Sequence, residues 1–149
     1  MSRWLTRWRR RLFVLLAWLT LMVIRAALAR FGYRRVYQRL LAWSPRPTAT
    51  TDVRRCLVTA RLVNRAALLP PREAATCLHR SLALWWLLRF RRLDSDIRTG
   101  VRRSDSGWDV HAWVEHDGVV INDDPTKVAG YRLLDDWLQQ AGALSGVSS

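Results

Sequence analysis

Lysine is nearly absent from this chain: Lys127 stands alone beside 24 arginines. Acid is scarce too, and no Asp or Glu occurs before Asp52. Cysteine appears only at Cys56 and Cys77. That excludes a small secreted scaffold held by several disulfides and suits a reducing cytoplasm, where a thiol stays usable. No CxxC or HExxH string is present, so a set such as Cys77, His79 and His111 lacks the usual signature of a metal site. No glycine-rich phosphate loop is present, which argues against nucleotide use by the chain itself. An uninterrupted bilayer-spanning run is missing as well. Leu12 to Ile24, broken only by Thr20, would cover ~20 Å as a helix, whereas a hydrocarbon core needs about 20 residues. Extension to Ala29 admits Arg25.

What is present is unevenly distributed. The 149 residues fit one domain with a core of useful size. Residues 1–46 hold 11 arginines and no acid, while residues 47–149 hold 14 basic and 12 acidic residues. Basicity therefore belongs to the N-terminal segment. That segment imitates an export signal, with a basic start including Arg10-Arg11, an apolar middle, and Ala27-Leu28-Ala29. Arginines continue at Arg30, Arg34, Arg35 and Arg39, however, among apolar residues at helical spacing. This favours a structural helix pair over residues 1–43, interrupted near Gly32. Two roles stay open for it: contact with the inner face of a membrane, with Trp4, Trp8 and Trp18 as anchors, or packing on the rest of the domain. The arginines flank an apolar run rather than line a polar groove, which argues against nucleic acid as a partner.

Ser44-Pro45-Arg46-Pro47-Thr48 reads as a linker. Thr51 to Leu69 reads as a helix with Cys56 on its apolar stripe, a small buried hydrophobe. Pro70-Pro71 stops it. Thr76 is a good N-cap, so Cys77 begins a helix running to Phe90 that is apolar on every side and hence central. The period then changes to two. Strands are expected around Ile97 to Val101, over Trp108 to Glu115 and over Val119 to Asp123, with Asp117-Gly118 as the hairpin signal. Tyr131 to Gln140 reads as a last helix, and residues 142–149 as a frayed tail. Helices followed by an antiparallel sheet make the class α+β.

Cys77, His111 and Asp123 stand out chemically. A cysteine at a helix start meets unpaired N–H groups and the positive end of the helix dipole, both of which favour the thiolate. In the strand, Asp109, His111, Trp113 and Glu115 share one face, while Val110, Ala112 and Val114 form the expected core face. A three-residue loop, His116-Asp117-Gly118, would set Asp123 opposite His111; a two-residue loop would set Asp124 there. Either carboxylate could fix the imidazole tautomer. His79 and His116 read as surface residues.

Those residues also carry a resemblance. CLHRSLALWWLLRF, RTGVRR and HAWVEHDGVVIND resemble the lasso peptide leader peptidases, cysteine proteases of the transglutaminase-like branch of papain-type folds. The likeness covers roughly Pro71 to Asp124. It implies a Cys-His-Asp triad on Cys77, His111 and Asp123, without cofactor or metal. It implies a fold in which the cysteine-headed helix packs on a small antiparallel sheet over residues 51–141, with the N-terminal helical segment added. It implies removal of the leader from a ribosomally made precursor. Its partners would be that precursor, a separate leader-recognition protein and an asparagine-synthetase-like lasso cyclase. Two other activities are weighed beside it: acyl transfer by the same triad, and a non-catalytic membrane-associated binding module.

Overall fold

Gly32 breaks the N-terminal segment into two helices, α1 (Arg3–Phe31) and α2 (Tyr33–Trp43), by adopting a positive φ of 74°. The computed structural model describes residues 3–48, 51–71 and 75–134. One face of α1 is driven inward: Ala17, Leu21 and Ile24 are at most 1% exposed and join a core shared with the later helices. Trp18 also turns inward, its indole N–H donating to the Pro70 carbonyl at 3.0 Å, so it is not a free interfacial anchor. α2 packs through stacked rings, Tyr37 lying 5.0 Å from Trp85.

α3 (Val53–Ala66) is shorter than the expected span, because Asp52 caps it by accepting the Arg55 N–H at 2.9 Å. Cys56 is fully buried on α3, and burial pushes its thiol pKa up to about 11. α4 (Cys77–Phe90) has the expected bounds. Leu82, Leu84 and Leu88 on it are completely buried, and each contributes about 1.5–3 kcal/mol by leaving water. Its C-terminal arginines do more than complement the helix dipole. Arg89 donates to Ser44 Oγ at 2.6 Å, and Arg91 bonds Thr59 Oγ1 at 3.0 Å while covering the Phe13 ring.

The sheet contains β1 (Asp96–Ser104), β2 (Gly107–His116), β3 (Val119–Val120) and β4 (Arg132–Leu133), in the order β3-β2-β1-β4 with antiparallel neighbours. α4 packs on β2, with α1 and α3 on its other sides. The class is α+β, as expected.

Three expectations need correction. First, the last strand stops at Val120 instead of reaching Asp123. The Asn122 side-chain oxygen accepts the Val114 N–H at 2.8 Å, the place a continuing ladder would give to the Ile121 carbonyl. Second, the hairpin turn is Asp117-Gly118 alone, both at positive φ, so His116 pairs with Val119. His116 is therefore not in the loop or at the surface; it is 1% exposed. Third, Tyr131 does not start a helix. It lies in a turn before β4, which pairs with Gly100 and Val101 of β1, a tertiary preference that overrides the local helical pattern. Leu134, directly after β4, is helical as expected; residues 135–140 of that expected helix, and the tail over 142–149, lie outside the described residues.

Gly100 faces His111 across the β1–β2 ladder. A Cβ there would sit 2.8 Å from both Trp113 Cη2 and Tyr131 Cβ. Gly100→Ala should therefore destabilise the chain by about 1–3 kcal/mol through overpacking and shift the rings above His111. Denaturant melts and near-ultraviolet circular dichroism would read both effects; an unchanged midpoint would contradict this packing.

Candidate active site

The start of α4 is built by its cap. Thr76 Oγ1 accepts the His79 N–H at 3.4 Å, and His79 Nδ1 accepts the Thr76 N–H at 3.2 Å, completing a reciprocal capping box. His79 is thus a half-buried structural residue. Burial, with Arg25 as a second cause, lowers its pKa and favours the neutral ring that this acceptor role requires. Cys77, next after the cap, is half-buried and carries a free thiol. At the first helical position its surroundings include N–H groups with no intrahelical acceptor.

One turn further on, Ser81 fixes where that helix end lies. Its hydroxyl, fully buried, donates to the Ala112 carbonyl of β2 at 3.0 Å. Residues four apart share a helix face, so Cys77 lies on the same face of α4 as Ser81, the face whose hydroxyl meets β2 at Ala112. Asn122 extends the clamp. Its amide donates to Ser81 Oγ at 3.1 Å, and its backbone carbonyl accepts from the Asn64 amide at 3.1 Å. α3, α4, β2 and the segment after β3 are joined at this one residue.

That segment carries the carboxylate. His111 is 6% exposed, and its Nε2 lies 2.5 Å from Asp123 Oδ2. The observed register is that of a two-residue loop, which by counting alone would oppose Asp124 to His111. Because the ladder ends early, Asp123 is the residue whose carboxylate reaches the ring. Asp124 instead caps α5 (Pro125–Val128), accepting from the Thr126 N–H at 2.9 Å. Burial opposes the charge on Asp123. The Asp124 N–H at 2.8 Å, His111 and Lys127 outweigh it and hold the carboxyl below its ordinary pKa. An ionised Asp123 accepting from Nε2–H leaves His111 Nδ1 as the basic nitrogen.

The face expected to open on a cleft is layered with aromatic rings. His111 lies 5.2 Å from the Tyr131 ring and 6.2 Å from Trp113, while Val110, on the expected core face, is 56% exposed. The Tyr131 hydroxyl donates to Asp109 Oδ2 at 2.6 Å, and that bond is the main cause raising the Tyr131 pKa. Two of the three expected residues, His111 and Asp123, are therefore in direct contact, and Cys77 stands at the neighbouring helix start. Among the described residues no hydrogen bond joins the thiol to the imidazole, and no group of three His, Cys, Asp or Glu side chains is arranged to hold a metal ion.

Residues 18–135 match the family model of the transglutaminase-like superfamily. The chain belongs to the transglutaminase-like superfamily. This superfamily includes cysteine proteases and acyl transferases, and its members are typically cysteine-dependent enzymes. No match was found among curated proteins or among solved structures. The match begins within α1, so a transglutaminase-like unit here includes part of the basic N-terminal helix.

The sequence pattern passed over Ser81, Asn122 and Tyr131. The first two act through hydrogen bonds between residues 41 apart, and the third through a fold-back onto β1. No local spacing reports either.

His79 supplies a pH prediction. A folded-state pKa below 6.5 means that the unfolded chain binds the proton more readily. The stabilisation is full above about pH 6.5 and lost as pH falls toward the lowered folded value. His79→Gln keeps a capping-box acceptor without the titration. The stability of the wild type relative to this variant should fall on acidification below about pH 6.5, measured by parallel melts across pH. A pH-independent difference would remove His79 from the acid response.

Proposed function

We propose that this chain is a cysteine peptidase that removes the leader from a ribosomally synthesised lasso peptide precursor. The observation that carries the reading is the His111–Asp123 contact on a strand clamped to the first turns of the helix that Cys77 begins. In this reading the Cys77 thiolate attacks the carbonyl at the leader–core junction. The tetrahedral intermediate collapses as protonated His111 delivers its proton to the leaving amine. His111 then takes a proton from water, the resulting hydroxide adds to the thioester, and the tetrahedral intermediate collapses to the leader acid and the Cys77 thiolate beside protonated His111. Positioned proton transfer of this kind contributes ~10²–10⁴-fold. Asp123 holds the ring and stabilises the imidazolium.

The proposed partners are the precursor peptide, a separate leader-recognition protein and an asparagine-synthetase-like cyclase that closes the core, all in the cytoplasm. What supports the lasso assignment beyond the superfamily is the likeness of the Cys77 helix and the His111 hairpin to the leader peptidases.

The test combines purified chain, recognition protein and precursor, with products read by mass spectrometry in ¹⁸O-labelled water. Cleavage with label in the leader's new carboxylate is expected; joining of the leader acyl group to an amine without water would assign acyl transfer instead. Cys77→Ala should abolish turnover while the melting temperature holds. Asp123→Asn should slow cleavage ~10²-fold or more, and Asp124→Asn far less, since Asp124 caps α5. The reverse order would move the carboxylate role to Asp124.

A further inference from the structure

We infer that the outer face of α1, with the groove beside it, is a docking surface for a bilayer of anionic phospholipid. The helix has two apolar faces. One is filled by the chain's own core through Ala17, Leu21 and Ile24. The other presents Trp8, Leu12, Leu15, Leu16, Leu19 and Val23, each between 48% and 68% exposed. Their spacing keeps them on one stripe that runs ~22 Å along the helix. By length and composition Arg7–Phe31 could cross a membrane. Its inner face is nevertheless sealed against α3 and α4, so the helix is held flat against the domain and offers only its outer side to lipid.

Charge identifies the occupant. Arginines bracket the stripe at Arg9, Arg10 and Arg11 and again at Arg25 and Arg30, where long side chains can reach a phosphate layer while the stripe lies in the acyl region. Beside the stripe lies a groove of about 560 Å³ between α1 and α3. Arg7, Arg10 and Arg11 line it from one helix, and Arg61 and Arg65 from the other. Among the described residues no carboxylate forms an ion pair with any of these five. The groove floor is apolar, made by Val14, Leu62 and Leu69, and Leu15 belongs to both groove and stripe. Guanidiniums above an aliphatic floor, continuous with an exposed aliphatic stripe, match a phosphate headgroup above acyl chain. An acidic peptide would answer the arginines but would leave the stripe uncovered.

The test uses the full chain carrying Cys77→Ala, so that vesicle binding is read independently of any peptidase activity. Co-sedimentation is compared on vesicles of phosphatidylcholine alone and of phosphatidylcholine with phosphatidylglycerol. Binding to the anionic vesicles, weakened by salt and released by alkaline carbonate, is expected. Arg61→Glu with Arg65→Glu should weaken it ~25-fold or more, at about fivefold per basic residue, with the melting temperature retained. Leu16→Glu with Val23→Glu, both at exposed positions, should abolish it. Equal binding to both vesicle types, indifference to either variant pair, or resistance to carbonate extraction would overturn the proposal. So would capture of polyglutamate without binding to either vesicle, which would assign the groove to an acidic peptide.

Discussion

The hydrogen bond from Ser81 to the Ala112 carbonyl sets the relation between α4, which Cys77 begins, and β2, which carries His111. α4 is apolar all round, so burial alone would let it rotate or slide on the sheet with little penalty. A buried hydroxyl aimed at one strand carbonyl removes that freedom, because an unmet polar group at this depth costs about 1–3 kcal/mol. Asn122 closes the same clamp from the other side. It also ends the β3 ladder, which turns the chain so that Asp123, rather than its neighbour, meets His111. Specificity of packing and placement of the carboxylate thus have one cause.

Local chemistry was legible and tertiary chemistry was not. The bounds of α4, the Thr76 cap and the position of Cys77 follow from a threonine before an apolar run after two prolines, all within a few residues. The Gly32 break and the Asp117-Gly118 turn follow equally from backbone freedom. The His111–Asp123 pairing was legible only to within one register step, because counting across a hairpin assumes a ladder that continues. His116 was misread for a related reason. Its Nε2 accepts the Asp52 N–H at 3.2 Å and its Nδ1 donates to the Asp94 carbonyl at 2.6 Å, so it bridges the start of α3 to the chain before β1. A polar residue beside a turn looks exposed until the groups it satisfies are known.

The scarcity of lysine has a physical counterpart in the packing. Guanidiniums lie over aromatic rings throughout the fold: Arg91 over Phe13 at 4.3 Å, Arg102 over Tyr131 at 4.5 Å and Arg89 over Trp85 at 5.2 Å. A planar, weakly hydrated cation can stack this way and still donate from its edge; an ammonium on a flexible stem cannot do both. Arg91 does so between α1 and α3, and Arg102 does so beside the candidate site, where it also donates to Asp109 at 3.0 Å. Arg102 therefore holds Tyr131 from its face while Asp109 holds its hydroxyl, and Tyr131 in turn covers His111. The same planar fork can pair with two phosphate oxygens at once. A chain so rich in arginine can use one residue type both to fasten aromatic rings inside the domain and, in the lipid-docking proposal, to grip headgroups outside it.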